Sequence, residues 1–175
     1  MEYVIRKEKT EDQSKIRALH ITAFTNGKNE ANLVEAIRSS EGFIPELSLV
    51  AITENDQVIG HILFTKISIE TTNEIVNTLA LAPMAVDPHF QQKGIGSQLV
   101  QAGITACREL GFEHIIVLGH PQFYPKFGFK PANLFGITPP FPVPDEVFMA
   151  LELNENTLQN ISGKVAYPPS FDSVT

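Results

Sequence analysis

Only one cysteine, Cys107, occurs among the 175 residues, so no disulfide can form within the chain and the fold must rest on core burial. No apolar run approaches the roughly 20 residues that cross a bilayer as a helix, and the chain is therefore not read as an integral membrane protein. Met1 runs straight into charged Glu2, Arg6, Lys7 and Glu8 with no apolar core of a signal peptide, so a cytoplasmic protein is expected. Positive charge is scarce: 13 Lys plus Arg against 20 Asp plus Glu leave a net charge of -7. That balance argues against nucleic acid or an anionic membrane as a partner, and any anionic ligand has to be held locally. The five histidines, His20, His61, His89, His114 and His120, lack a metal-ligand spacing such as His-x-x-x-His, so no metal is expected. Repeats and low-complexity tracts are also missing.

What is present is globular material, 43% hydrophobic and 19% charged, of a length that suits one domain with a sizeable core. Tyr3 to Arg6 reads as a first strand. Thr10-Glu11-Asp12-Gln13 reads as a capping box that starts a helix with Ile16, Leu19 and Ala23 on its buried stripe. Asn26-Gly27 interrupts that helix, and residues Phe24 to Glu30 are expected to form a polar break. A second helix carries Leu33, Val34 and Ile37 and ends near Ser39-Ser40. Leu47 to Ile52 and Val58 to Ile69 then form a hairpin, and Val76 to Val86 a further strand. Pro83 cannot donate to a ladder, so it marks a bulge or an edge in that strand. A helix through Ile95, Leu99, Ile104, Cys107 and Leu110 stops at Gly111 and hands over to a strand at His114 to Leu118, a right-handed crossover between parallel neighbours. Val147 to Leu153 reads as the last strand, followed by a polar tail over residues 154–175. The fold class is α/β in the α+β sense, with a mixed sheet.

Gln91-Gln92-Lys93-Gly94-Ile95-Gly96-Ser97 lies where a strand hands over to a helix. Free backbone N–H groups at the helix start, with the positive end of the macrodipole behind them, make an anion site. The glycines let an anion approach the backbone and let the chain take positive φ, and Lys93 adds a local charge. The segment lacks Gly-x-x-x-x-Gly-Lys-Ser/Thr and the third glycine of a dinucleotide fingerprint, which weakens both nucleotide-fold readings.

Gln91, Gly94 and Gly96 fill the Gln-x-x-Gly-x-Gly signature, and Tyr124-Pro125-Lys126-Phe127-Gly128-Phe129 matches a later Tyr-x-x-x-Gly-Phe motif. In this order of elements the chain, over roughly Tyr3 to Leu153, resembles the GNAT acyltransferase superfamily. Leu79-Ala80-Leu81-Ala82-Pro83-Met84-Ala85-Val86 is similar to the family strand that leads into the loop. Leu118 to Tyr124 and the Asn29-Glu30-Ala31-x-Leu33-Val34 helix start are similar to a YhbS-like bacterial branch of it.

The resemblance implies a mostly antiparallel central sheet flanked by helices, with two parallel strands splayed at a cofactor cleft. The acetyltransferase domain would cover 1–153, with the tail packed on it or extending it. It implies acetyl-CoA as co-substrate, with Met84, Ala85 and Val86 offering main-chain groups to pantetheine and the thioester. Gln91, Gln92, Lys93, Gly94, Ile95, Gly96 and Ser97 would hold the pyrophosphate, and His120 and Phe123 would border the cleft. Tyr124 would return a proton to the departing thiolate, and an amine of a small molecule or peptide would attack directly. A base is not evident, because Leu79 stands near where some relatives carry a strand carboxylate; Glu30 or water remains. Cys107 falls in the apolar stripe of its helix and reads as core. A non-catalytic acyl-CoA-binding or regulatory module is the other reading, and a homodimer is left open.

Overall fold

The computed structural model describes residues 2–174. The chain opens with β1 (Tyr3–Lys7) and a short 3-10 turn, Thr10–Asp12, that leads into α1 (Gln13–Ala23). Here the expected capping box is replaced. The Asp12 carboxylate, not the Thr10 hydroxyl, accepts the Lys9 N–H at 2.7 Å, and Arg6 grips both carboxylate oxygens at 2.7 and 3.3 Å. A carboxylate already fixed by a guanidinium is a stronger acceptor than a free hydroxyl. The Arg6 guanidinium, with the Lys9 N–H adding to it, holds the Asp12 carboxyl below its ordinary range.

Next comes α2 (Gly27–Arg38), so the polar break is only Phe24, Thr25 and Asn26. Gly27 does not break a helix. It lies in the first turn of α2 against the end of α1, where an added Cβ would fall 2.3 Å from Ile21 Cα and 2.4 Å from the His20 carbonyl oxygen. Close approach of two backbones is what this glycine provides.

The strands β2 (Phe43–Thr53), β3 (Val58–Thr71) and β4 (Ile75–Val86) form an antiparallel meander, with β1 on its outer edge. Then α3 (Ile95–Glu109) crosses to β5 (His114–Leu118), which lies parallel to β4. Beyond it are β6 (Lys130–Pro131), β7 (Ile137–Thr138), β8 (Phe148–Glu152) and β9 (Gly163–Ala166). The main order is β1-β2-β3-β4-β5-β8-β6, antiparallel except for β4 with β5 and the short β7 with β9. The expectation of a mixed, mostly antiparallel sheet flanked by helices holds.

Strand β8 is not the last. β3 outruns β2, whose pairing ends at Thr65, and the exposed edge at Ser68–Thr71 is taken by β9. An uncovered edge is a template for pairing, and here the chain's own C-terminal segment fills it. Four residues with a single buried side chain, Val165, are too short to give a readable alternation.

Two apolar layers sandwich the sheet. Leu79 and Leu81 of β4 face α3 with Phe64, Leu99 and Cys107, whereas Ala80 and Ala85 face α1 and α2 with Ile16, Val34 and Ile37. This alternation places successive β4 residues on opposite faces. Among the described residues no helix is long and apolar enough to cross a membrane.

Candidate active site

The parallel pairing of β4 with β5 covers only Leu79–Leu81 against Ile115–Val117. Past Leu81, β4 continues along β3, but with one extra residue. Ile62 faces Met84 and Phe64 faces Leu81, so two steps on β3 correspond to three on β4, a bulge at Ala82-Pro83. Meanwhile β5 stays with β8 through Leu118. The two strands part, and among the described residues the β4 edge beyond Leu81 has no strand paired on its β5 side.

Into this opening points the start of α3. Gly94 caps it in the left-handed region, φ 84°, with nothing within 4 Å of where a Cβ would sit. Gln98 N–H is the first to bond back, to the Gly94 carbonyl at 3.1 Å. The N–H groups of Ile95, Gly96 and Ser97 therefore lack intrahelical partners and carry the positive end of the helix. Gly96 lies between β4 and the later aromatic segment: an added Cβ would be 3.7 Å from Met84 Cε and 3.8 Å from both Val86 Cγ2 and Phe123 Cζ.

These groups border one cleft of about 600 Å³. Of the residues expected at the cofactor, Met84, Ala85, Val86, Gln91, Gln92, Gly94, Ile95, Gly96, Ser97, His120 and Phe123 line it. Gln91 also donates from Nε2 to the Val86 carbonyl at 3.2 Å, tying the loop to the strand end. Lys93 does not line the cleft; its ammonium lies over the Phe90 ring, 5.7 Å from the centroid. The cation in the wall is Lys126, held 4.7 Å over Phe123. Sequence reasoning passed over Lys126 although it stands inside the Tyr124–Phe129 motif, and it missed Ala23, Phe24 and Phe90, which line the cleft too.

Tyr124 is packed behind that wall. Its ring covers Gly119, where a Cβ would meet Tyr124 Cε2 at 2.4 Å, and it makes edge contacts with Phe123 and Phe129 at 5.0 and 5.6 Å. Burial pushes the phenol up to about 12, so it stays protonated at neutral pH. The hydroxyl has no hydrogen-bond partner among the described residues. Burial likewise pushes the Cys107 thiol up to about 12, as suits a core cysteine.

Glu30 sits in the first turn of α2, with one carboxylate oxygen, Oε2, buried without a protein partner. It lines neither the cleft above nor a second one of about 560 Å³, although Leu33 farther along the helix lines the latter. This second cleft lies on the α2 face of the sheet. It is walled by Ala80, Ala82 and Ile116 from the splayed strands, by Phe141, and by Val165, Tyr167 and Phe171 from the C-terminal segment. Its charged members are Glu70, Lys164 and Asp172. The two clefts thus share β4, one on either side of Pro83.

Three imidazoles, His20, His61 and His114, are buried, and desolvation lowers each of them, His20 to about 4. An imidazole kept neutral in the fold takes up its proton on unfolding, so the unfolded chain binds more protons below pH ~6.5. The contribution is complete above that pH and is lost as pH falls from about 6.5 toward 4. Urea midpoints measured from pH 7.5 to 5 are expected to fall steadily; a flat series would show that these rings ionise in place. Among the described residues no group of three or more His, Cys, Asp or Glu is arranged to hold a metal.

Residues 45–131 match the family model described as acetyltransferase (GNAT) domain. The chain is 39% identical over 136 residues to an uncharacterized N-acetyltransferase of Escherichia coli K12, YjhQ, covering 77% of this chain and 74% of that protein. It is 31% identical over 169 residues to a second, YhbS, covering 97% and 98% respectively. Among solved structures, the YhbS GNAT family N-acetyltransferase of Escherichia coli in complex with CoA superposes with a TM-score of 0.89 at 29% identity, over 97% of this chain and 92% of that one. A GNAT family acetyltransferase from Brucella melitensis in complex with acetyl-CoA superposes with a TM-score of 0.76 at 30% identity, over 98% and 99%.

Proposed function

The chain belongs to the GNAT acetyltransferase family and is an acetyl-CoA-dependent N-acetyltransferase; from that premise we propose that its α3 cleft binds acetyl-CoA and that a primary amine attacks the thioester directly. One observation carries the reading: the free N–H groups at the start of α3 and the unpaired edge of β4 border the same cleft. The first suits a pyrophosphate and the second an extended, amide-bearing chain that can pair like a strand. The open space at the Gly94 Cβ position supports the fit of the anion.

In this reading Gln91, Gln92, Gly94, Ile95, Gly96 and Ser97 hold the pyrophosphate, with Lys126 rather than Lys93 as the nearby cation. Met84, Ala85 and Val86 offer main-chain groups to the pantetheine arm, and His120 and Phe123 close its side. Acetyl-CoA supplies the acetyl group already activated as a thioester. A backbone N–H at Met84 or Ala85 steadies the negative charge that develops on the carbonyl oxygen. Tyr124, kept protonated by burial, gives its proton to the departing thiolate. Holding donor and acceptor in line supplies much of the acceleration, and no covalent enzyme intermediate is required.

The acceptor enters from the second cleft, whose aromatic and aliphatic wall suits an amine carried on an apolar body, small molecule or peptide side chain alike. Glu30, with an unpaired buried oxygen one turn from Leu33, attracts the cationic amine. Glu30→Gln is expected to raise KM for the amine about fivefold, the weight of roughly 1 kcal/mol of lost charge attraction, with kcat little changed. Unaltered amine kinetics would return Glu30 to a helix-end carboxylate. The whole reading is tested by titrating the protein with acetyl-CoA in a calorimeter and by following thiol release with primary amines. No heat of binding and no release would end it.

A further inference from the structure

Under the wall of the α3 cleft runs a buried file of polar side chains drawn from five segments. Arg38 of α2 grips Glu8 twice, Nε to Oε2 at 2.9 Å and Nη2 to Oε1 at 3.1 Å. Ser48 of β2 donates to Glu8 Oε1, and His61 Nε2 on β3 lies 2.9 Å from Ser48 Oγ. His61 Nδ1 in turn lies 2.9 Å from His20 Nε2 on α1. Ser48, His61 and His20 are fully buried, and His20 Nδ1 has no protein partner.

The hydrogen positions follow from the carboxylate end. Both Glu8 oxygens accept from the Arg38 guanidinium, which can only donate, and Ser48 gives Glu8 Oε1 the hydroxyl hydrogen. Ser48 Oγ then accepts from His61, whose Nε2 carries a hydrogen and whose Nδ1 is a lone pair. That lone pair accepts from His20 Nε2–H. One ring nitrogen is left over, His20 Nδ1, and in a neutral ring it is bare. Both rings are neutral at pH 7, because burial lowers them and Arg38 acts in the same direction. The charged groups facing the file are Arg38 from α2 and Glu8 from the segment after β1, while His61 faces His20 from β3.

The His20 ring is fully buried and does not itself line the cleft; Phe24 stands between the two. The His20 ring stacks on Phe24 with centroids 5.9 Å apart and planes within 7°, and Phe24 lines the cleft. His61 is paired across the ladder with Ala85, which lines it as well. Resting on the acyl-transfer reading, we propose that His20 Nδ1 takes the proton of the attacking amine through water that reaches it past Phe24, and that His61, Ser48 and Glu8 position it and pass the charge on.

The step balances. An N–H bond of the amine breaks and one forms at His20 Nδ1. His20 Nε2 gives its hydrogen to His61 Nδ1, His61 Nε2 to Ser48 Oγ, and Ser48 Oγ to Glu8. Both rings end neutral in the opposite tautomer, and the positive charge removed from the amine is met by the Glu8 carboxylate. The Glu8 side chain is 7% exposed, which lets water collect the proton at the far end. The file supplies the base that a leucine at position 79 does not.

Two variants cut the file without emptying it. His20→Gln keeps a donor toward His61 and removes Nδ1; Ser48→Ala keeps both rings and breaks the link to Glu8. With folding verified by circular dichroism, each is assayed for thiol release from acetyl-CoA with phenethylamine, tyramine, spermidine and an unblocked tripeptide. Both are expected to lose about 10²-fold in kcat and to keep wild-type acetyl-CoA affinity, His20→Gln alone is expected to lose the acid limb of the pH–rate profile, and the double variant should be no worse than either single one. Wild-type turnover retained by both folded variants overturns the relay and leaves acyl transfer standing. If the wild type acetylates none of the four amines, the fault lies with the acceptor reading, and ¹⁵N imidazole spectra judge the file alone. Nε2–H on both neutral rings supports it, whereas Nδ1–H or a charged ring at pH 7 on His20 overturns it.

Discussion

Tyr124→Phe is expected to lower kcat about 10²–10⁴-fold with little change in acetyl-CoA affinity. The substitution keeps the ring that covers Gly119 and its edge contacts with Phe123 and Phe129, so the packing survives. It removes only the hydroxyl, which bonds to none of the described residues and therefore leaves no protein group unsatisfied. A loss of turnover then reports the proton itself. Because burial holds the phenol near 12, wild-type activity should show no downward limb from this group below about pH 10. Equal turnover in the two proteins, measured by thiol release on one acceptor, would return Tyr124 to packing.

The second large effect is expected at the start of α3, in the cleft itself. At Gly96 a Cβ would make ordinary contacts of 3.7 to 3.8 Å with Met84, Val86 and Phe123, so the backbone can carry a side chain. The branched methyls of valine, however, would occupy the space between those three residues, where the anion has to approach the helix start. Gly96→Val should fold and should weaken acetyl-CoA binding about 100-fold, the equivalent of losing one or two charge-assisted hydrogen bonds. Calorimetric titration of the folded variant measures this directly, and unchanged affinity would remove the pyrophosphate from α3. In the same titration Lys126→Ala should cost more than Lys93→Ala, since only Lys126 is in the wall.

The parts of this molecule that could be read from the sequence are those whose physics is local. The unpaired start of α3 needs only the residues from Gln91 to Ser97, because a strand end, two glycines and a helix start form it within one turn. Pro83 signalled the bulge for the same reason: a missing N–H acts where it stands. By contrast, Gly27 looks like a breaker in sequence and is a packing residue in space, since what it avoids is the backbone of His20 and Ile21. Lys93 is adjacent to the glycines yet turned onto Phe90, whereas Lys126, 33 positions later, reaches the cleft over Phe123. The histidine file was wholly hidden, because Glu8, His20, Arg38, Ser48 and His61 sit at unremarkable spacings and meet only when β1, β2 and β3 assemble under α1 and α2.

The capture of the β3 edge by β9 bears on how such a protein can diverge. The stretch matched by the family model, 45–131, contains the strand, the loop and the helix on which the cofactor reading rests. The second cleft is closed from outside that stretch, by Phe141 and by Lys164 to Tyr167, Phe171 and Asp172. If the amine lodges there, the loop and helix of the cofactor reading and the outer wall of the acceptor cleft come from separate stretches of the chain. Lineages could then rewrite the last dozen residues and change what is acetylated, while the machinery that does the acetylating is inherited untouched.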